Sequence, residues 1–244
     1  MDFLANKAMI IFGVLVALFV LEPKFPVVKI PENFSRLARN FSLAGVNAVM
    51  SGLIVIPLAQ FASQWNLQWR AESLIVDLLL LDLWIYVWHR LNHVVPFFWR
   101  FHEVHHLDET LDTSSALRFH FGEVLLSSIA RVFVIMLLGV PVHHVIIFET
   151  VLALATLFHH SNIRLPSWIE RPLSLLIVTP SIHWVHHHAV RADTDSNYAT
   201  VLSVWDLLFR SRSNTRRNAQ MKIGVEGLAD LPVAALFKRP FFRR

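Results

Sequence analysis

His89-Arg90-Leu91-Asn92-His93, eight further residues, then His102-Glu103-Val104-His105-His106: five histidines fall within eighteen positions. A second triplet, His183-Trp184-Val185-His186-His187, repeats the i, i+3, i+4 spacing of the first. On a helix, residues three and four apart share a face, with Cβ atoms about 5–6 Å apart. His89 and His93 therefore point one way, as does each triplet, and three short helices bring eight imidazoles to a common centre. Imidazole ligates iron, zinc, copper and nickel. Eight such ligands exceed what one ion takes, so the pattern reads as a two-metal site. Uncoordinated, the same rings would crowd polar groups where burial without partners is expensive.

The composition puts this site in an apolar chain. Of 244 residues, 55% are hydrophobic and 16% charged, against about 25% charged in a usual soluble domain. Cysteine is absent, which excludes disulfides, thiolate metal sites and thiol nucleophiles. The net charge of +4 is modest, and basic residues at 210–217 and 238–244 suit anionic lipid headgroups. No nucleic-acid-binding motif accompanies them.

Outward from the histidines, residues 73–88 form an apolar run that delivers the chain into His89. Two more apolar runs precede it. Residues 9–21 end in Leu21-Glu22-Pro23-Lys24 rather than in a cleavage site, so they read as a retained membrane helix of about 19 residues counted from Phe3. Residues 41–61 form the second, with Pro57 expected to kink its end. A polar turn at 64–72 carries Trp65 and Trp69, suited to a membrane interface. The linker 22–40 holds Lys24, Lys29, Arg36 and Arg39, the turn only Arg70, and the segment after the third run Arg90 and Arg100. The positive-inside rule then puts the N-terminus outside, with the histidine clusters and C-terminus cytoplasmic.

Residues 123–158 are apolar and are broken by Leu138-Gly139-Val140-Pro141 into halves of about 16 residues, each short for a bilayer crossing. A re-entrant-type helical hairpin keeps both flanking histidine regions on one side. His120 stands just before it and His160 just after it, in His159-His160-Ser161-Asn162. Both are further candidate ligands, with His159 competing for the place of His160. His143 and His144 fall at the hairpin tip, where they read as interfacial, and His188 has no clear face. Asp82, Tyr86, His89 and His93 form a polar stripe on the third run. A charge at the bilayer centre costs about 2.5–3.5 kcal/mol on insertion scales. Asp82 is therefore expected to face inward, either to hydrogen-bond a ligating imidazole or, as is the favoured reading for Asp77, only to bond a neighbouring helix. The expected fold is an all-α integral membrane protein: three spanning helices, the hairpin, and a cytoplasmic histidine-rich helical cap. Its parts are membrane helices and linker at 1–72, a catalytic domain at 73–211, and a basic tail at 212–244 that need not be ordered.

Asp82-x3-Tyr86-x2-His89-Arg90-x2-His93 and Trp99-x2-His102-x2-His105-His106 resemble the fatty acid hydroxylase superfamily, which includes sterol desaturases, sterol methyl oxidases and alkylglycerol monooxygenases. His160-Ser161-Asn162, Thr179-Pro180-x2-His183-x2-His186-His187 and Asn197-Tyr198-x6-Trp205-Asp206-x2-Phe209 continue the match, over roughly residues 78–210. The resemblance implies a membrane-bound non-haem di-iron oxygenase that hydroxylates or desaturates a lipid with dioxygen and two electrons. Its implied ligands are His89, His93, His102, His105, His106, His183, His186 and His187, with His120 and His160 added, and Asp82 and Tyr86 behind them. Two departures stand out: Phe121 where the family often has proline, and Arg210-Ser211 where Gly-Thr is usual. No haem-binding cytochrome segment is present, so a separate ferredoxin-, cytochrome- or flavoprotein-type donor is expected.

Imidazole ligands alone accept zinc as well as iron. His102-Glu103-x2-His106 also fits the zinc-protease motif with glutamate as general base, but that reading leaves His89, His93 and the second triplet unused. A non-catalytic membrane metal carrier is the other alternative; it calls for ligands spread along a path across the bilayer.

Overall fold

The computed structural model describes residues 2–30, 33–65 and 71–242. Trp69 and Arg70, on which the interfacial turn and part of the charge count rest, lie outside them. Among the described residues the chain is helical, with three isolated β-bridges and no strand. Helix α1 spans Asp2–Leu21, α2 Phe34–Met50, α3 Ile56–Gln64, α4 Leu74–Val94 and α5 Pro96–His106. Helices α6 (Phe121–Leu138) and α7 (Val142–His160) form the hairpin. Short helices follow: α8 Ser167–Leu173, α9 Pro180–His186, α10 Arg191–Thr194, α11 Val204–Leu208 and α12 Val233–Lys238.

Four segments are long and apolar enough to cross a membrane: Asn6–Lys24, Phe34–Gln64, Phe121–Leu138 and Val142–His160. The last two correct the expected hairpin lengths. They run to 18 and 19 residues because α6 already starts at Phe121 and because His159 and His160 continue α7 instead of ending it. The third apolar run, α4, is not among the four; it carries Asp77, Asp82 and Arg90 along its 21 residues. The outer faces suit lipid: Phe12, Leu53, Ile75 and Phe133 are each more than 60% exposed.

Local chemistry sets the breaks. Pro57 has no N–H for the carbonyl of Leu53, and the helix widens to one π turn, Ser51–Val55, just before it. There the Ile56 N–H reaches Ser51 O. α6 ends at Gly139 with φ 65°, a left-handed cap that glycine adopts without a Cβ penalty. Pro141 then opens α7. Between α3, α4, α6 and α7 lies an apolar core that includes Ala62, Leu81, Ile85, Ile135, Val145 and Phe148.

At the histidine end, polar groups lock the helices together. Glu22, at the foot of α1, accepts from the Thr113 N–H and hydroxyl and from the Asn162 N–H at 2.7–2.8 Å. Arg36 of α2 donates to Asp108 and Asp112 across 2.6–3.1 Å. The residues after 212 are not a loose tail. Met221 and Ile223 join a core cluster with Trp184 and Val185, and Leu236 of α12 packs on Leu43, Val104 and Leu107. The segment's arginines mark it as a basic tail, while the apolar residues of 221–237 dock it.

Candidate metal centre

Helices α4, α5, α7 and α9 present nine buried histidines in two abutting groups. His89, His93, His102, His106 and His186 form one, and His105, His160, His183 and His187 the other; within each, one ring nitrogen per residue lies within 4.8 Å of the rest. The triplets are shared out in opposite ways. α5 sends His102 and His106, one turn apart, to the first group and His105 to the second. α9 sends His183 to the second and His186 to the first, and His187, which caps its C-terminus, joins the second. The groups touch where His106 stacks on His187, with ring centroids 4.4 Å apart.

Five of the rings have a fixed tautomer. Nδ1 of His89 lies 2.8 Å from the Tyr198 carbonyl, that of His105 3.2 Å from Arg118 O, that of His160 2.8 Å from Thr156 O, and that of His186 2.7 Å from Ser196 O. Nδ1 of His102 lies 2.8 Å from the Glu123 carboxylate. Carbonyls and carboxylates only accept, so each Nδ1 carries the proton and each Nε2 presents a lone pair. Those lone pairs face one another: His89 Nε2 to His102 Nε2 at 3.2 Å, and His105 Nε2 to His160 Nε2 at 3.1 Å. Acceptor against acceptor at that distance repels unless a cation lies between them. Both nitrogens of His93 and of His106, and Nε2 of His186, lack hydrogen-bond partners among the described residues. The donor set therefore fits metal ions, bound by neutral imidazole with outer partners fixing each ring.

Burial, and secondarily the neighbouring imidazoles, push His105, His106, His183, His186 and His187 well below the usual histidine range. For a base whose folded pKa is depressed, the unfolded chain takes up protons first as pH falls. Above about 6.5 both states are largely neutral and little changes; below it the unfolded chain gains protons that the metal-free fold does not, so stability falls as pH falls. Thermal unfolding of chelator-treated protein should be flat from pH 8 to 7 and fall steeply from 6.5 to 5.5. A flat profile throughout would contradict the assignment.

Several expected residues lie elsewhere. His120 joins neither group: its Nδ1 accepts from the Gly122 N–H, capping α6, and its Nε2 sits 3.1 Å from Phe237 O. Asp82 is buried, but it does not reach an imidazole. It accepts from the Leu202 N–H and the Trp205 indole at 3.1 and 2.7 Å. Tyr86 bonds Ser211 Oγ and stacks on Phe209. These two brace the loop that carries the Tyr198 carbonyl, and Asp206 holds the same loop by its Tyr198 and Ala199 N–H groups. Arg210 sits at φ 53°, the left-handed region glycine prefers, while Ser211 supplies a hydroxyl to Asp206 at 2.7 Å. His159 bonds Thr200 O and His188 bonds Asp193, outside both groups. His143 and buried His144 lie at the hairpin tip beside Glu72, with His144 paired to Asp77. Glu103 accepts from Arg239 Nε at 2.8 Å, so the carboxylate that the protease alternative needs as general base is engaged in an ion pair.

Glu123 was missed as a partner of the site. It accepts from His102 and from Asn92, at 2.8 and 3.2 Å. Nothing in its sequence position marks it, since an acid at a helix start is already favoured by the helix dipole. Glu123→Ala should weaken metal binding about 10–100-fold, as outer-partner losses do. Glu123→Gln, which keeps an acceptor, should cost less. Chelator competition reads both.

A cavity of about 420 Å³ reaches both groups, touching His89, His102, His105, His160 and His183. It continues between α1, α6 and α7 along walls that include Ile85, Trp88, Phe119, Leu152 and Leu157. It offers an apolar chain a route from the membrane helices to the imidazoles.

A helical chain of membrane character with two abutting all-imidazole groups defines a candidate membrane di-metal protein. It belongs to the fatty acid hydroxylase family, whose profile matches residues 74–211. It is 31% identical to an ornithine lipid hydroxylase of Rhizobium tropici over 181 residues, covering 74% of this chain and 54% of the relative. It is also 31% identical to the human alkylglycerol monooxygenase over 156 residues, 61% of this chain and 32% of that protein. A cholesterol 25-hydroxylase-like protein of Danio rerio shares 34% identity over 136 residues, 54% of this chain and 52% of its own. The chain thus spans about half the first relative and about a third of the second. No solved structure gives a significant match.

Proposed function

We propose that the chain is a membrane-bound non-haem di-iron oxygenase that inserts oxygen into a lipid. The observation that carries this reading is the set of facing, unprotonated Nε2 atoms, which only cations satisfy. His89, His93, His102, His106 and His186 would hold one ion, and His105, His160, His183 and His187 the other. When bound, redox-active metal supplies the oxidising power toward dioxygen that side chains lack. The protein's residues do the rest. Tyr198, Glu123, Arg118, Thr156 and Ser196 fix the ring orientations, and the apolar cavity aligns a lipid chain and keeps bulk water from the centre.

The balance is R–H + O2 + two electrons + two protons giving R–OH + H2O. The similar proteins named as hydroxylases and a monooxygenase favour hydroxylation over desaturation. Electrons would come from a separate ferredoxin-, cytochrome- or flavoprotein-type partner. With α4 crossing as a third, charge-bearing helix beside the two N-terminal apolar spans, and the α6–α7 hairpin returning to the same side, the centre would lie at the cytoplasmic face with the N-terminus outside. Residues 73–211 would then be the catalytic part.

The test is to purify the protein in detergent, load it with iron and supply a reductase system. Ornithine lipid, alkylglycerol, sterol and fatty acyl substrates are then screened by mass spectrometry under 18O2. One substrate should gain a single 18O atom. Absence of label across the panel, with peptide cleavage lost in Glu103→Ala, would instead support a zinc protease.

A further inference from the structure

Far from the histidines, the same cavity is bordered by three charged side chains: Lys7 of α1, Arg131 of α6 and Glu149 of α7. Glu149 accepts from Lys7 at 2.7 Å and from Arg131 at 3.1 Å. All three lie within segments apolar enough to cross a membrane, and all are largely buried, with side chains 14–20% exposed. Charges in such a setting are costly and usually mark a ligand path.

One carboxylate and two cations leave one positive charge uncancelled. If the cluster only stapled α1 to the hairpin, the Lys7–Glu149 pair would suffice, and Arg131 would add an unpaired charge at a cost. Arg131 also has an unused donor, because its Nε is buried and finds no acceptor among the described residues. Ser127 lies 3.4 Å from its Nη2 and adds a hydroxyl to this end of the cavity.

At 1.5 Å per helical residue, Arg131 lies about 12 Å along α6 from Glu123, and Glu149 about 16 Å along α7 from His160. The cavity thus has an imidazole end, an apolar middle and a cationic end. We propose that the Lys7–Arg131–Glu149 cluster binds the anionic group, carboxylate or phosphate, of a single-chain lipid whose alkyl chain runs to the histidines. This rests on the reading of the site as a lipid oxygenase and adds the class of substrate. The anionic group is the fixed point, so the oxidised carbon is counted from that group and not from the methyl end.

The test is displacement of tritiated dodecanoic acid from the full chain in a neutral maltoside micelle. The competitors are dodecanoic acid, dodecyl phosphate, methyl dodecanoate and dodecylamine. At least one anion should compete ten-fold or more better than the ester and the amine, and whichever does so names the source as a free acid or a phosphorylated lipid. Arg131→Gln should reduce that advantage to less than two-fold, while Arg131→Lys should retain it; thermal scans identify the variants that are folded. An ester as effective as both anions, or an anion advantage that survives Arg131→Gln, would overturn the proposal, the latter because the anion would be binding elsewhere. Failure of the oxygenase reading would leave this binding preference measurable. Failure of the anion site would leave neutral lipids still oxidised.

Discussion

His105→Ala should release about one metal ion per chain and lower oxygen-dependent lipid oxidation by more than about 100-fold. Losing only an outer partner of a ligand typically costs 10–100-fold, and here the ligand itself goes. His105 belongs to the smaller group, which has four imidazoles, so three would remain. Its Nε2 faces that of His160 at 3.1 Å, and its ring stacks on Phe119 at 4.4 Å. Alanine removes both contacts and leaves His160 Nε2 facing only His183 Nε2 at 3.0 Å. His120→Ala is the informative contrast. That ring caps α6 and stands outside both groups, so its loss should cost about 1 kcal/mol of stability, as caps do, with the metal content unchanged. Elemental analysis of both variants, beside turnover, tells the two roles apart.

Arg36→Ala should be among the most destabilising single substitutions away from the metal centre. The guanidinium is buried and donates to Asp108, Asp112, the Thr110 carbonyl and Ser115 Oγ within 3.1 Å. Its removal strands two buried carboxylates, and breaking such a pair from one side costs about 3–5 kcal/mol. For a chain of this size that lowers the unfolding midpoint by roughly 6–20 °C, read by thermal denaturation in detergent. Arg36→Lys should recover part of the loss, since lysine restores the charge but not the planar fork. A shift of under 2 °C in Arg36→Ala would show that the network contributes little.

The histidine blocks were legible because helical spacing is a local property. All eight motif histidines, and His160, fall in the two groups. The division between the groups was not legible. An i, i+3, i+4 triplet shares one face, and which ring turns to which neighbour depends on how α5 and α9 meet. Asp82 illustrates a related limit: the polar stripe places it inward, yet its Oδ2 accepts from Leu202 and Trp205, more than a hundred residues later, and not from an imidazole. His120 reads as a ligand by its place before the hairpin, but a ring at a helix start can equally accept from the first free N–H groups. The break at Gly139 and Pro141 follows from residue chemistry. The hairpin's full length does not, because the polar His159 and His160 end the apolar pattern while the helix continues. The C-terminal segment was read from its arginines; Met221, Ile223, Val225, Leu228, Leu231 and Leu236 dock it, but they are spread over short irregular pieces with no long helical or strand pattern.

The most direct measurement is metal stoichiometry combined with product formation on one iron-loaded, detergent-purified sample. About two irons per chain, together with a singly oxygenated lipid formed only with dioxygen and reductant, is the expected result. One tightly held zinc per chain, with no oxygen uptake across the lipid panel, would contradict the two-metal oxygenase.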